Sequence, residues 1–419
     1  VQKHIGWMAA VFVSIVVLLP GMILAKSEVK IISLDDDNQP KKVVHQQKQI
    51  LENDTNAAAG TTKINLVWQP TFEAVNNLAS LDKVPGMNVI APSWFSIVGA
   101  NGFIKNSADE NYVKNAHAKG YKVWALITNS FDPDLTSVVL HNPKARQYVI
   151  NQLQFFIERY NLDGINLDFE NIYDEDKDAL TVFVREIKTA LNPTGAIVSM
   201  DITVPSETSR WSTCYNRQAL GETVDYMMLM AYDEHWRTSP VSGSVASIGW
   251  VENGIINTLK SVPANKLILG IPFYMRKWEE VDGKVTAKTL TMNEAEKLIR
   301  EKQLHPQWMA DQGQYYFEYE EDGKLYRVWQ EDARSIALKV GLADKYQLPG
   351  VAAWRKGFEK PEIWDVINKS LNVKSLLKEK NTAVEPTLES LQIKRNDKEA
   401  KKRSSDQINQ VVIDKIHTQ

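Results

Sequence analysis

The 419-residue chain has a single cysteine, Cys214, so neither an intramolecular disulfide nor a cysteine-built zinc site is open to it. Its seven histidines are scattered, none at the HxxxH spacing that sets two imidazoles on one helix face. No metal and no cofactor is expected. Neither sign of charge prevails, with 49 Lys and Arg against 52 Asp and Glu for a net charge of −3. That excludes nucleic acid as the main partner, because such binding draws its affinity from clustered positive charge. Aromatic residues are missing from 26–60 and from 370–419, and polar stretches without aromatic side chains bury too little surface to order themselves.

What is present divides the chain into segments. Ile5 to Ala25 carries no formal charge, and roughly 20 apolar residues suffice to span a bilayer. Lys3 supplies a thin positive flank and Ala25 a small residue at which a signal peptide can be cut, whereas Ile23 stands where a small residue is preferred. An uncleaved membrane anchor and a cleaved signal peptide both stay open for 1–25. Either sends the body out of the cytoplasm, to the cell surface or beyond. Residues 26–60 are polar and read as a flexible linker, and 370–419, with ten Lys/Arg and seven Asp/Glu, as a charged, disordered tail. The body, 61–369, holds eleven of the twelve tryptophans. It is expected to be monomeric.

Within the body, short apolar runs alternate with amphipathic stretches. The runs are INLVW (64–68), MNVIAP (87–92), KVWALIT (122–128), GINLDFE (164–170), AIVSMDITV (196–204), DYMMLMAYD (225–233), KLILGIPF (266–273) and GVAAW (350–354). Between them, residues 142–160 and 176–191 place apolar side chains at helical spacing. Alternating strand and helix implies a parallel sheet, and eight such units in about 300 residues predict an α/β fold, a closed (β/α)8 barrel. The seventh and eighth runs lie too far apart for a simple crossover. QYYFEYE (314–320) and KLYRVW (324–329) flank Glu321-Asp322-Gly323, a hairpin signature, so a small α+β insertion over about 276–329 is expected there. Residues 330–346 read as the returning helix.

The fourth run carries the chemistry. Side chains alternate along a strand, so Ile165, Leu167 and Phe169 face the helices while Asn166, Asp168 and Glu170 face the barrel interior. Neighbouring same-face positions lie about 6–7 Å apart, close enough for a charge on Asp168 to hinder ionisation of Glu170. A carboxylic acid held protonated is what a leaving glycosidic oxygen requires. An isolated DxE is more often a satisfied structural network, but three inward polar groups on so apolar a strand are costly without a purpose.

Asp163-Gly164-Ile165-Asn166-Leu167-Asp168-Phe169-Glu170 resembles the DxxDxDxE signature of glycoside hydrolase family 18, the chitinase-like barrels. Met230-Ala231-Tyr232-Asp233, Gly270-Ile271-Pro272-Phe273-Tyr274 with Arg276, and Trp354 resemble that family's sixth, seventh and eighth strand ends, and the likeness runs over roughly 63–368. Within the family the segments YNLDGINLDFENI, LMAYDEHW and VWQEDARS are most similar to bacterial spore-cortex and peptidoglycan N-acetylglucosaminidases. The resemblance implies a retaining hydrolase acting beside N-acetylglucosamine through its substrate's own acetamido group, a scheme outside the usual two-carboxylate one. It casts Glu170 as acid/base, Asp168 as the carboxylate steadying the acetamido group, Tyr232 as a donor to that group, Asp233 as a binder of sugar hydroxyls and Trp354 as the floor beneath the sugar. Met230, Asn166, Tyr274 and Arg276 are implied as substrate-binding residues of the cleft. Asn166 departs from the signature's second Asp, leaving Asp168 without a carboxyl neighbour below it, and Asp168 is expected to ionise the more readily for it.

Other candidates are weaker. Trp94 and Phe95, just past the second run, end the second strand, where Trp94 can contact sugar; Trp124 reads as core. Asn129 follows the third run and can bond sugar or shape a turn. His235 and Trp236 follow Asp233, but a lone loop histidine is more often structural. Asp163 has the opposite parity and, with Gly164, reads as support at the base of the strand. Peptidoglycan is favoured over chitin, and chitin over N-glycans, as the N-acetylglucosamine-containing partner. The alternative is a non-catalytic, lectin-like binder of the same glycans, since one barrel hosts many functions.

Overall fold

The computed structural model describes residues 63–71 and 83–371. The readings made above of 1–25, of 26–60 and of the tail beyond Leu371 lie outside the described residues. In chain order the strands are β1 (Ile64–Gln69), β2 (Val89–Ile97), the short β3 (Ile104–Asn106), β4 (Lys122–Thr128), β5 (Gly164–Asp168), β6 (Ile197–Thr203), β7 (Tyr226–Met230), β8 (Leu267–Pro272), β9 (Tyr274–Val281), β10 (Lys284–Thr291), β11 (Gln307–Met309), β12 (Gln314–Glu321), β13 (Lys324–Gln330) and β14 (Gly350–Trp354). β1, β2, β4 to β8 and β14 pair in parallel, and β1 pairs with both β2 and β14, so the ring closes. Each of the eight apolar runs lies on one strand of this (β/α)8 barrel. Closure needs a glycine: a Cβ on Gly350 would stand 1.9 Å from the carbonyl oxygen of Ile64, deep inside contact distance.

The helices are α1 (Glu110–Ala118), α2 (Pro133–His141), α3 (Pro143–Tyr160), α4 (Lys177–Leu191), α5 (Arg217–Thr223), α6 (Ile248–Thr258), α7 (Met292–Glu301), α8 (Ala333–Lys345) and α9 (Glu362–Leu371). α3 shows how local sequence sets their limits. The Asn142 side chain accepts from the amides of Lys144 and Ala145, Pro143 opens the first turn, and Asn161 ends the helix at φ 54°, a cap that asparagine tolerates. Ala145, Val149, Ile150, Leu153, Phe156 and Ile157 form its buried face, packed against the strands.

Strand alternation sorts the core into two layers. Ile165, Leu167 and Phe169 join the outer layer between strands and helices, where Phe169 stacks on Phe183 of α4 at 6.3 Å. Leu66, Trp68, Trp124, Leu126, Met228, Ile268 and Ala352 fill the lumen, and Trp124 stacks there on Tyr226 at 5.8 Å.

Between β8 and β14 the chain builds a five-stranded antiparallel sheet in the order β10-β9-β13-β12-β11, with α7 beside it. The β12–β13 hairpin turns at Asp322 and Gly323, both at positive φ, with Glu321 opposite Lys324. A buried ion pair fixes this sheet to the barrel. Glu331 accepts from Lys339 Nζ of α8 at 2.9 and 3.0 Å, from Ser335 Oγ at 2.6 Å and from Gln314 Nε2 at 2.7 Å. Gln314 in turn accepts from Ser244, in the loop after β7, at 2.5 Å.

Candidate active site

The carboxyl ends of the parallel strands converge on one mouth, and the polar ends of β5, β7, β8–β9 and β14 meet there. Asp168 closes β5 with its side chain buried and its Oδ1 without a hydrogen-bond partner among the described residues. Glu170 follows half-buried at the rim. Its backbone is pinned: Glu170 N donates to Asn129 Oδ1 at 3.1 Å, and Asn129 Nδ2 donates to Glu170 O at 2.7 Å. The Tyr215 hydroxyl donates to the preceding carbonyl, that of Phe169, at 2.7 Å. The last turn of the strand is therefore held from three directions while the Glu170 carboxyl is left free.

Past β7, Tyr232 sets its ring edge-on to Trp68 at 6.4 Å and to Tyr274 at 6.2 Å. Asp233 takes a left-handed backbone at φ 59°. It accepts from the Tyr274 hydroxyl at 2.6 Å and from Arg276 Nη2 at 2.8 Å, and Arg276 also donates to Thr289 of β10 at 2.7 Å. Tyr274 and Arg276 are both buried and act here as the mounting of Asp233. Trp354 ends β14, half-buried and tilted against Trp68 at 6.2 Å. Met230 lies beneath, 9 % exposed.

The electrostatics favour protons. Loss of solvent pushes the Glu170 carboxyl well above the ordinary carboxylate range, and the charges of Asp168 and Asp233 add to it. Asp168 is also pushed up, by burial first and by Asp201 second. Asp168 thus has a carboxyl neighbour after all, Asp201 in place of a residue at position 166. Asp201 lies on β6, and its carboxyl is raised by burial and by Glu170 against the lowering effect of a bond from Asn166. Burial likewise raises the Tyr232 hydroxyl, which stays a proton donor.

Three expectations need correction, and one residue was overlooked. Asn166 is fully buried beneath the cleft. It accepts from Trp68 Nε1 at 2.8 Å and donates to Asp201 Oδ1 at 2.8 Å and Ser199 Oγ at 3.2 Å, so no part of it is left for substrate. Trp94 is 2 % exposed and packs edge-on against Tyr112 of α1 at 5.2 Å, so it is not offered to a sugar. Asn129, 2 % exposed, spends its amide on Glu170 and on Thr136 Oγ1 at 2.9 Å. Asp201 was missed. Ser199, Asp201 and Thr203 alternate with Val198, Met200 and Ile202, the same parity signal that exposed Asn166, Asp168 and Glu170.

Asp163 stands at the foot of β5. Burial opposes its charge, but Lys122 Nζ at 2.8 Å, the Val123 amide at 2.9 Å and His117 Nε2 at 2.7 Å outweigh it and lower its pKa. A Cβ on Gly164 would come within 2.8 Å of the Trp124 ring. His235 is tied by Nδ1 to Ser244 O at 2.8 Å, while Trp236 is 51 % exposed. Among the described residues no group of acidic, histidine or cysteine side chains is placed to hold a metal ion. A carboxyl of raised pKa at an aromatic-walled mouth, with a second carboxyl below it and a phenol beside it, is an arrangement that can donate a proton to a bound ligand.

The model of the glycosyl hydrolases family 18 matches residues 48–358. The chain belongs to that family. Among its family 18 relatives is a protein of Bacillus subtilis (strain 168) named "Uncharacterized glycosylase YvbX", 32% identical over 295 residues, which are 68% of this chain and 84% of the relative. The cortical fragment-lytic enzyme of Bacillus anthracis is 26% identical over 65% of this chain and 66% of its own. The structure of the chitinase from Chromobacterium violaceum ATCC 12472 superposes with a TM-score of 0.67 at 24% identity, covering 74% of this chain and 99% of that one, a likeness of fold.

Proposed function

We propose that the protein is a retaining hydrolase of β-1,4 linkages beside N-acetylglucosamine, with peptidoglycan as the first substrate and chitin-like glycans as the second. The observation that carries this reading is the Glu170 carboxyl, free of hydrogen bonds among the described residues and set at the barrel mouth beyond Asp168, where burial raises its pKa. In this reading Glu170 protonates the leaving oxygen, and the acetamido oxygen of the bound sugar attacks the anomeric carbon from the opposite face. Asp168 takes the acetamido N–H and balances the positive ring that forms, and Tyr232 donates to the acetamido oxygen. Water then opens the ring with Glu170 as base, and the configuration is retained. Trp354 offers an indole face on which the apolar side of a pyranose stacks. Asp233, mounted on Tyr274 and Arg276, is available to sugar hydroxyls.

The preference for peptidoglycan is supported by relatives named as cortical fragment-lytic enzymes; relatives named as di-N-acetylchitobiases keep chitin-type substrates second. The uncharged run 5–25 supports a place outside the cytoplasm, which fractionation and protease added to intact cells test. Activity is tested by digesting purified peptidoglycan and chitin oligomers side by side and weighing the products. New reducing N-acetylglucosamine ends, lost in Glu170→Gln, support the proposal. Glycan binding without cleavage would make the protein a lectin, and neither binding nor cleavage would overturn both readings.

A further inference from the structure

Asp201 is a second buried carboxyl under the cleft, and its register fixes its neighbour. β5 and β6 run in parallel with Asn166 opposite Ser199 and Leu167 opposite Met200, so the next step sets Asp168 beside Asp201 on the lumenal face. Adjacent strands lie about 4.8 Å apart. Both side chains are buried, at 7 % and 1 % exposure. Asp201 Oδ1 is occupied by Asn166 Nδ2 at 2.8 Å, while Asp168 Oδ1 is a buried acceptor with no donor among the described residues. The groups that act on Asp201 are Asn166 and Glu170, and it acts in turn on Asp168 and on Tyr232. None of these is cationic. Two carboxylates side by side in such a place do not both keep a charge.

We propose that Asp201 is the proton-holding partner of Asp168. The two carboxyls carry one proton and one negative charge between them, and the proton sits on Asp201 and is donated to the orphaned Asp168 Oδ1. Asp201 is thus a positioning residue, which acts on the reaction by keeping Asp168 ionised and aimed. Asn166 serves the pair by occupying the other Asp201 oxygen, which leaves the proton only one direction in which to point. The proposal rests on the reading of Asp168 and Glu170 given above, but the proton itself can be followed without any substrate.

Two variants separate a proton donor from a mere filler of space. Asp201→Asn is the isostere of the protonated form and keeps a donor toward Asp168. Asp201→Val keeps volume and removes the donor. In Asp201→Asn the acidic limb of kcat/KM on an N-acetylglucosamine oligomer should stay where it is in the wild type. In Asp201→Val it should rise by about one to two pH units, the worth of one hydrogen bond to a charged group. Equal displacement of the limb in both variants, or in neither, would overturn the proposal. Independently of activity, the carboxyl carbons of 13C-labelled aspartate should show one protonated carboxyl from this pair at neutral pH, absent from Asp201→Asn. Two carboxyls already ionised at that pH would overturn it as well. A protein inactive on every glycan but showing the shared proton would retire the hydrolase reading and leave the pair standing.

Discussion

Asn129→Ala isolates the clamp on the strand end that carries Glu170, the acid of the proposed reaction. The substitution strips Glu170 of both backbone partners, the N–H bond of 3.1 Å and the carbonyl bond of 2.7 Å. A buried polar group left unmade costs about 1–3 kcal/mol. Two such groups, with a water partly filling the vacated space, set the loss at about 2–4 kcal/mol. For a body of this size that is a fall in Tm of roughly 4–8 °C. The effect on turnover is larger, because a displacement of about 1 Å in a reacting group costs on the order of 100-fold. KM should hardly move, since the Asn129 amide has no capacity to spare for sugar. The assay is a thermal melt with kcat and KM on one N-acetylglucosamine oligomer. A KM raised several-fold with kcat unchanged would place Asn129 on the substrate, and wild-type values of both would refute the clamp.

Glu170→Gln should keep the fold and lower kcat by about 10²- to 10⁴-fold; a variant retaining over about a tenth of the activity would free Glu170 of the acid role. The same variant tests the raised pKa. An acid whose folded pKa lies above its unfolded one stabilises the protein below the unfolded value, and that contribution is lost as pH rises toward the folded value, by up to about 1.4 kcal/mol per pH unit. Glu170→Gln should therefore melt above the wild type at pH 7, with the difference closing near the ordinary glutamate pKa of about 4.3; identical melting curves across that range would deny the shift. The sugar released by the wild type should appear first as the β-anomer and a thiazoline mimic of the cyclised acetamido intermediate should inhibit, whereas initial α-anomer by NMR would exclude the mechanism. Lys339→Met leaves Glu331 charged and unpaired in the interior, at a cost of about 3–5 kcal/mol, and an unchanged melting curve would show that the ion pair does not secure the inserted sheet.

The barrel was legible because its strands are short, apolar and regularly spaced, and because alternation alone assigns Ile165, Leu167 and Phe169 outward and Asn166 and Asp168 inward. The hairpin at Asp322-Gly323 was legible from turn chemistry. What escaped depends on which strands become neighbours. Nothing in the fourth run reveals that Asn166 will face Ser199 and Asp201 of the next strand, although AIVSMDITV shows an inward carboxyl by the same alternation. Trp94 was placed at a strand end, but β2 runs on to Ile97 with a shift of register between Ser93 and Phe95, and the ring packs against Tyr112. Asn129 was placed near the rim with sugar and turn both open, because a side-chain amide bonds a peptide as readily as a sugar and only the fold decides which is in reach.

Parallel strands give a barrel a front and a back, and both ends of the folded body lie at the back. Lys63 enters beside Leu348, its Nζ donating to that carbonyl at 2.5 Å, ahead of the first residue of β1. α9 returns from the mouth so that Asn368 lies against Gly86, three residues before β2 begins. A support, label or fusion partner joined through Lys63 or Leu371 therefore meets the enzyme on its blind side. A bead-bound or surface-displayed form attached at either point presents its cleft outward.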